Sequence, residues 1–133
     1  MVWTPQPRPP SEVEVVIAWH EALNDRDIDR LVSLCSDDVE LGGPGGFGHG
    51  PELLRQWFES SGLDLELGAF LQRGEVVVVS QEAQWTSPGG AGAVENVASV
   101  FRVREGRIVS IIRYPDLDAA LVGAGIKRQS ADA

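Results

Sequence analysis

The spacing of apolar side chains changes once along the chain, at Leu63, and this change restricts the possible folds more than any other feature of the sequence. Before it, apolar residues recur three and four positions apart, as on one face of a helix. After it they alternate with polar ones, as in strands whose two faces meet different surroundings. Ser11 with Glu14 three residues on forms a capping box, and Val13, Val16, Ile17, His20 and Asn24 follow at helical spacing, which predicts a helix to about Asn24. Asp27 caps a shorter helix carrying Ile28, Leu31, Val32 and Leu34, and a brief strand over residues 39–41 follows. Pro51 opens a third helix with Leu53, Leu54, Trp57 and Phe58 on one face. The alternating half predicts strands over residues 63–72, 75–86, 94–104 and 107–114, with turns at Arg73-Gly74, residues 87–92 and Glu105-Gly106. Turns that short imply an antiparallel meander. A last short helix over residues 116–122 caps one end. Helices first and a long sheet afterwards read as an α+β fold, with three N-terminal helices packed on the concave face of a curved antiparallel sheet.

The glycine-rich stretch from Gly42 to Gly50 reads as a flexible loop. It lacks the closing Lys-Ser or Lys-Thr pair of a phosphate loop, and no buried parallel strand precedes it. Residues 1–10, with four prolines and no periodicity, read as a flexible arm, residues 11–124 as one domain and residues 125–133 as a flexible tail. A net charge of -9 repels nucleic-acid phosphates and anionic membrane surfaces alike, so neither is expected as a partner. No apolar run approaches the roughly 18 residues of a spanning helix, and the proline-rich opening lacks the apolar stretch of a secretion signal, so the expected location is cytoplasmic. The single cysteine, Cys35, has no disulfide partner in the chain and, with only His20 and His49 beside it in the inventory, makes no zinc site. Between Leu31 and Leu34 on one side and a predicted strand on the other, it reads as a small buried apolar residue. No cofactor is expected.

Three stretches then stand out: Val16-Ile17-Ala18-Trp19-His20-Glu21-Ala22-Leu23-Asn24 with Asp27; Asp37-Asp38-Val39-Glu40; and Val100-Phe101-Arg102-Val103-Arg104-Glu105-Gly106-Arg107-Ile108 leading to Tyr114-Pro115-Asp116-Leu117. Together they resemble the nuclear transport factor two-like superfamily, especially its SnoaL-like branch, over residues 13–124. The resemblance implies a helix-lined pocket inside a conical sheet. It places the chain among ketosteroid isomerases, limonene-epoxide hydrolases and polyketide cyclases, and beside carriers and dimerisation modules of the same shape. It does not carry over their catalytic acids. The general base of the ketosteroid isomerases falls at Gly43, their oxyanion-hole tyrosine at Trp19 and their protonated aspartate at Ala98 or Ser99. The hydrolases' Arg-x-Asp falls at Glu82 and Gln84, their last-strand aspartate at Arg113, and their water-holding residues at Leu41 and Gly43. What the resemblance leaves is a reversed pair, Glu82 on a middle strand and Arg113 on the last.

Alternation along the second long strand puts Val78, Ser80, Glu82, Gln84 and Thr86 on one face and Val77, Val79, Ala83 and Trp85 on the other. The polar set is expected to face the pocket. There Glu82 acts as acid or base, Arg113 pairs with it and binds a ligand oxygen, and Gln84 orients the ligand. The plain alternative is a structural ion pair. His20 is either a satisfied core histidine or a proton shuttle on the pocket wall. Trp19, Trp57 and Phe58 are core aromatics or stacking surfaces for a flat ligand, and His49 is an exposed loop residue or part of the pocket mouth. The apolar face of Val77, Val79, Ala83 and Trp85 is expected to pair two copies as a homodimer through the outer sheet face, with Trp85 as anchor. The functional reading is a binder of a small, largely apolar molecule carrying a carbonyl, hydroxyl or epoxide oxygen, with isomerase-, cyclase- or hydrolase-like acid/base chemistry. The alternatives are a non-catalytic ligand-binding module and a dimerisation domain.

Overall fold

The computed structural model describes residues 11–43, 46–87 and 90–125, and for residues 60–61, 85–87 and 90–93 the backbone alone. The proline-rich arm and all but the first residue of the C-terminal tail lie outside the described residues. The chain runs α1 (Glu12–Asn24), α2 (Ile28–Ser33), β1 (Cys35–Gly43), β2 (Gly46–His49), α3 (Pro51–Ser61), β3 (Leu63–Arg73), β4 (Val76–Ser87), β5 (Gly90–Arg104), β6 (Arg107–Tyr114) and α4 (Leu117–Gly123).

α1, α2 and α4 each start after a residue whose side chain accepts from one of the helix's open N–H groups. Ser11 accepts from the Glu14 N–H at 3.1 Å, Asp27 from Arg30 at 3.2 Å and Asp116 from Ala119 at 2.8 Å. Pro51 begins α3, where a missing N–H costs nothing, and Gly62 ends it at φ 56. The six strands form one sheet in the order β2-β1-β6-β5-β4-β3. β3 to β6 are the expected antiparallel meander, and β1 joins it parallel to β6, so the sheet is mixed.

The glycine-rich stretch differs from its expected form. It is mostly paired: β1 and β2 make an antiparallel hairpin with Glu40 opposite His49, Leu41 opposite Gly48, Gly42 opposite Phe47 and Gly43 opposite Gly46. Strand pairing uses backbone groups that glycine supplies as well as any residue, so composition alone does not exclude a strand.

α1 to α3 cover one sheet face. Val15, Val16, Trp19 and Leu23 of α1 meet Val77, Val79, Phe101 and Ile108 of the sheet in one buried core. The buried stripe of α1 is therefore turned from the expected one, since Val13 and Ile17 are only half-buried and Asn24 is exposed. α4 does not close an end of the cone but lies on the opposite sheet face, where Ala120 and Leu121 cover Val78, Ala98 and Val100. This corrects the expected faces. Val77, Val79 and Ala83 are fully buried beneath the helices, so the apolar area from which self-association was argued is core. The side chain of Trp85, the expected anchor, lies outside the described residues.

β3 is an edge strand, and two side chains from the end of α1 occupy its open groups. Asn24 Nδ2 donates to the Leu65 carbonyl at 2.8 Å while its Oδ1 accepts from the Leu65 N–H at 3.0 Å. Arg26, at φ 59, donates to the Leu63 carbonyl at 2.7 Å and to Asp64 at 3.0 Å. The pair locks α1 to the sheet much as an added strand would. Replacing Asn24 by alanine leaves both Leu65 groups without their partner and is expected to cost about 1–3 kcal/mol in urea unfolding. No loss would show that water replaces the amide.

Candidate functional site

A cavity of about 390 Å³ lies between the helices and the β1–β2 end of the sheet. Its helix side carries Trp19 from α1 and Leu54 and Trp57 from α3. Its sheet side carries Leu41 of β1 with Ile111 and Arg113 of β6. Trp19 and Trp57 are stacked, with ring centroids 6.2 Å apart and 18° between planes, and Phe101 meets Trp19 edge-on at 5.2 Å. Arg113 is the only charged side chain among the described residues of the lining. A pocket of this size, apolar with a single cationic group, matches the general make-up of small-molecule sites.

Glu82 is not in it. Gln81 is buried on the helix-covered face and Glu82, the next residue, is exposed on the other. The registers place Ser99 opposite Arg113 and Asn96 opposite Glu82 without a shift between them on β5, so Arg113 and Glu82 point to opposite faces of the sheet. The expected Glu82–Arg113 pair is corrected on that ground, and Gln84 goes with Glu82. Glu82 lies in an outer groove, directly opposite Glu66. The alternation along β4 is as expected; what differs is the side on which the three helices lie.

His20 meets the sheet at Gln81. Its Nδ1 is 2.7 Å from the Val16 carbonyl and its Nε2 is 2.7 Å from Gln81 Nε2, while Gln81 Oε1 accepts from Ser99 Oγ at 2.8 Å. One arrangement satisfies every contact: Nδ1–H donates to Val16 and Nε2 accepts from the Gln81 amide. The ring is thus a neutral core group outside the cavity lining. Its nearest sequence neighbour in that lining is Trp19, whose indole N–H has no hydrogen-bond partner among the described residues beyond the weak acceptor sulfur of Cys35. Burial pushes the Cys35 thiol up to about 12, opposed by that indole contact. Phe58 packs at the core margin under the Arg26 guanidinium, 5.9 Å from its ring, and His49 is exposed on the hairpin opposite Glu40. Neither lines the site.

Sequence reasoning missed the buried Gln81 and, in the cavity lining, Phe47 with the glycines Gly42, Gly43, Gly46 and Gly48. Gln81 sat between two polar residues and gave no signal of burial. The glycines did carry one, because Gly46-Phe47-Gly48-His49-Gly50 alternates small and large with a strand's period of two.

The sequence matches the SnoaL-like domain over residues 16–111. The chain belongs to the SnoaL-like family. Solved structures give this SnoaL-like domain the same architecture. A nuclear transport factor two-like protein of unknown function from Cytophaga hutchinsonii superposes with a TM-score of 0.73 at 16% identity, over 86% of this chain and 97% of the other. TerC, co-crystallised with polyporic acid, gives 0.72 at 24% identity over 81% and 93%. SalBIII, an epoxide hydrolase/cyclase-like enzyme with a role in pyran ring formation in the polyether salinomycin, gives 0.71 at 24% over 77% and 88%. At these identities the likeness establishes the fold. No protein of curated function matches the sequence.

Burial of His20 predicts a pH dependence. Loss of hydration pushes its imidazolium from the ordinary 6.5 down to about 4, against the opposing hydrogen bond to Val16. Between these values the unfolded chain takes up a proton that the folded protein refuses, so this stability is whole above the unfolded value and declines as pH falls. The expected loss between neutral pH and pH 5 is about 2 kcal/mol by urea unfolding. An equal decline in His20→Leu would assign it to other groups.

Proposed function

We propose that this SnoaL-like domain binds a small, largely apolar molecule through one carbonyl or acidic oxygen held by Arg113. The observation that carries the reading is the lining itself: indole, aliphatic and glycine surface with a single guanidinium among its described residues. A guanidinium offers five N–H donors in a plane, suited to a carboxylate or enolate oxygen pair, and an apolar surround strengthens each bond by excluding water. That TerC was crystallised with an organic acid, and that SalBIII is named for ring formation, supports a ligand of this kind.

Binding without turnover is the version the geometry favours. The described lining has no carboxylate, imidazole or thiol to move a proton, and Gly43 stands where the resemblance puts an isomerase's base. The catalytic reading, with isomerase-, cyclase- or hydrolase-like chemistry, draws support from the named activities of the neighbours; in it Arg113 stabilises negative charge on the substrate oxygen and solvent exchanges the proton.

Calorimetric titration with 2-naphthoate, a flat apolar acid, tests the site. Wild type is expected to bind it, and Arg113→Gln to bind about tenfold or more weakly, the scale of a lost charge-assisted hydrogen bond. Equal affinity in a variant of unchanged melting temperature removes Arg113 as the anchor. Absence of binding to the wild type removes the reading.

A further inference from the structure

The β1–β2 hairpin lines the cavity with two side chains, Leu41 and Phe47, and four glycines, Gly42, Gly43, Gly46 and Gly48. Leu41 is opposite Gly48 and Gly43 opposite Gly46, so these four share one face of the hairpin, while Gly42 and Phe47, opposite each other, share the other face. Glycine weakens a strand and persists where the backbone needs it or where another group must come close. Gly46 has φ +126, a conformation L residues rarely adopt, so its backbone explains it. A Cβ on Gly48 would collide with Leu53 Cδ2, so the approach of α3 explains that one.

Gly43 has neither reason. Its φ lies outside the left-handed region, and a Cβ there would sit 3.6 Å from Arg113 Cβ, an ordinary van der Waals contact. What a side chain at this position would fill is the cavity, beside the root of Arg113, the one cationic group among the described residues of the lining.

We infer that Gly43 is a specificity-determining residue: its bare backbone keeps a flat slot open toward the stacked indoles of Trp19 and Trp57, so the molecule held at Arg113 is a planar ring system with its oxygen at the edge. The inference rests on the cavity reading above and adds the shape of the ligand to it. Indole faces and peptide planes both pack against ring faces at van der Waals distance, whereas a saturated ring is thicker and puckered. An added methyl at residue 43 narrows the slot next to the anchor, where a rigid ligand cannot move aside.

The test is calorimetric titration of the full chain, wild type and Gly43→Ala, with 2-naphthoate and its saturated counterpart decahydro-2-naphthoate. Wild type is expected to prefer the planar acid by about tenfold or more, and Gly43→Ala to keep the wild-type melting temperature while losing about tenfold in affinity for it. Similar binding of the two acids by wild type overturns the inference without any variant and leaves Arg113 as anchor. Unchanged affinity for 2-naphthoate in a folded Gly43→Ala protein overturns it as well. Binding of neither acid by wild type overturns the cavity reading and the inference together.

Discussion

The hydrogen bond between His20 and Gln81 sits at the centre of the joint between α1 and the sheet, and the orientation of everything around it follows from that contact. A strand's side chains alternate, so a slip of one residue would bring Ser80 or Glu82 to His20 in place of Gln81. Glu82 there would bury a carboxylate against the apolar core at a cost of several kcal/mol or more. Gln81 instead donates to the imidazole with its amide nitrogen and accepts from Ser99 with its oxygen, closing a chain of satisfied groups from α1 through β4 to β5. Ser99 in turn lies opposite Arg113, so the face chosen at Gln81 is also the face on which the guanidinium enters the cavity. A polar contact deep in the core thereby decides which charge the pocket contains.

Both faces of the sheet are occupied, and the division of labour between them explains the placement of the acids. β4 begins with four consecutive valines, and the helices take Val77 and Val79 while α4 takes Val78. Beyond the part of the outer face covered by α4, the residues turned outward are Ser80, Glu82 and Gln84, and Glu82 is exposed there. The chain carries a net charge of -9, yet the cavity between the helices and the β1–β2 end of the sheet is lined by a cation and no described anion. Long-range attraction of an anionic ligand is therefore weak, and recognition rests on short-range bonds at Arg113 and on shape.

The first half of the pocket was legible in the sequence and the second was not. Trp19, Trp57 and Arg113 were named from spacing and resemblance, and all three line the cavity. Glu82 and Gln84 were named from the same alternation but for the wrong face, because a strand apolar on both sides at one end does not say which side the helices will take. The glycine hairpin was read as a loop because its residues have little intrinsic preference for a strand, and the pairing of β2 with β1 comes from backbone groups that every sequence shares.

Local chemistry was thus within reach of the sequence alone: the caps at Ser11 and Asp27, the proline start of α3, the change of period at Leu63 and the limits of β3, β4 and β6 to within a residue. These depend on neighbours a few residues away, and so on patterns that a linear chain displays. Tertiary structure decided the face of β4, the inward turn of Arg113, the room left at Gly43 and the isolation of His20 from the cavity. Each of those depends on which of two equivalent surfaces meets a distant helix, a choice made by packing and hydrogen-bond satisfaction across the whole core.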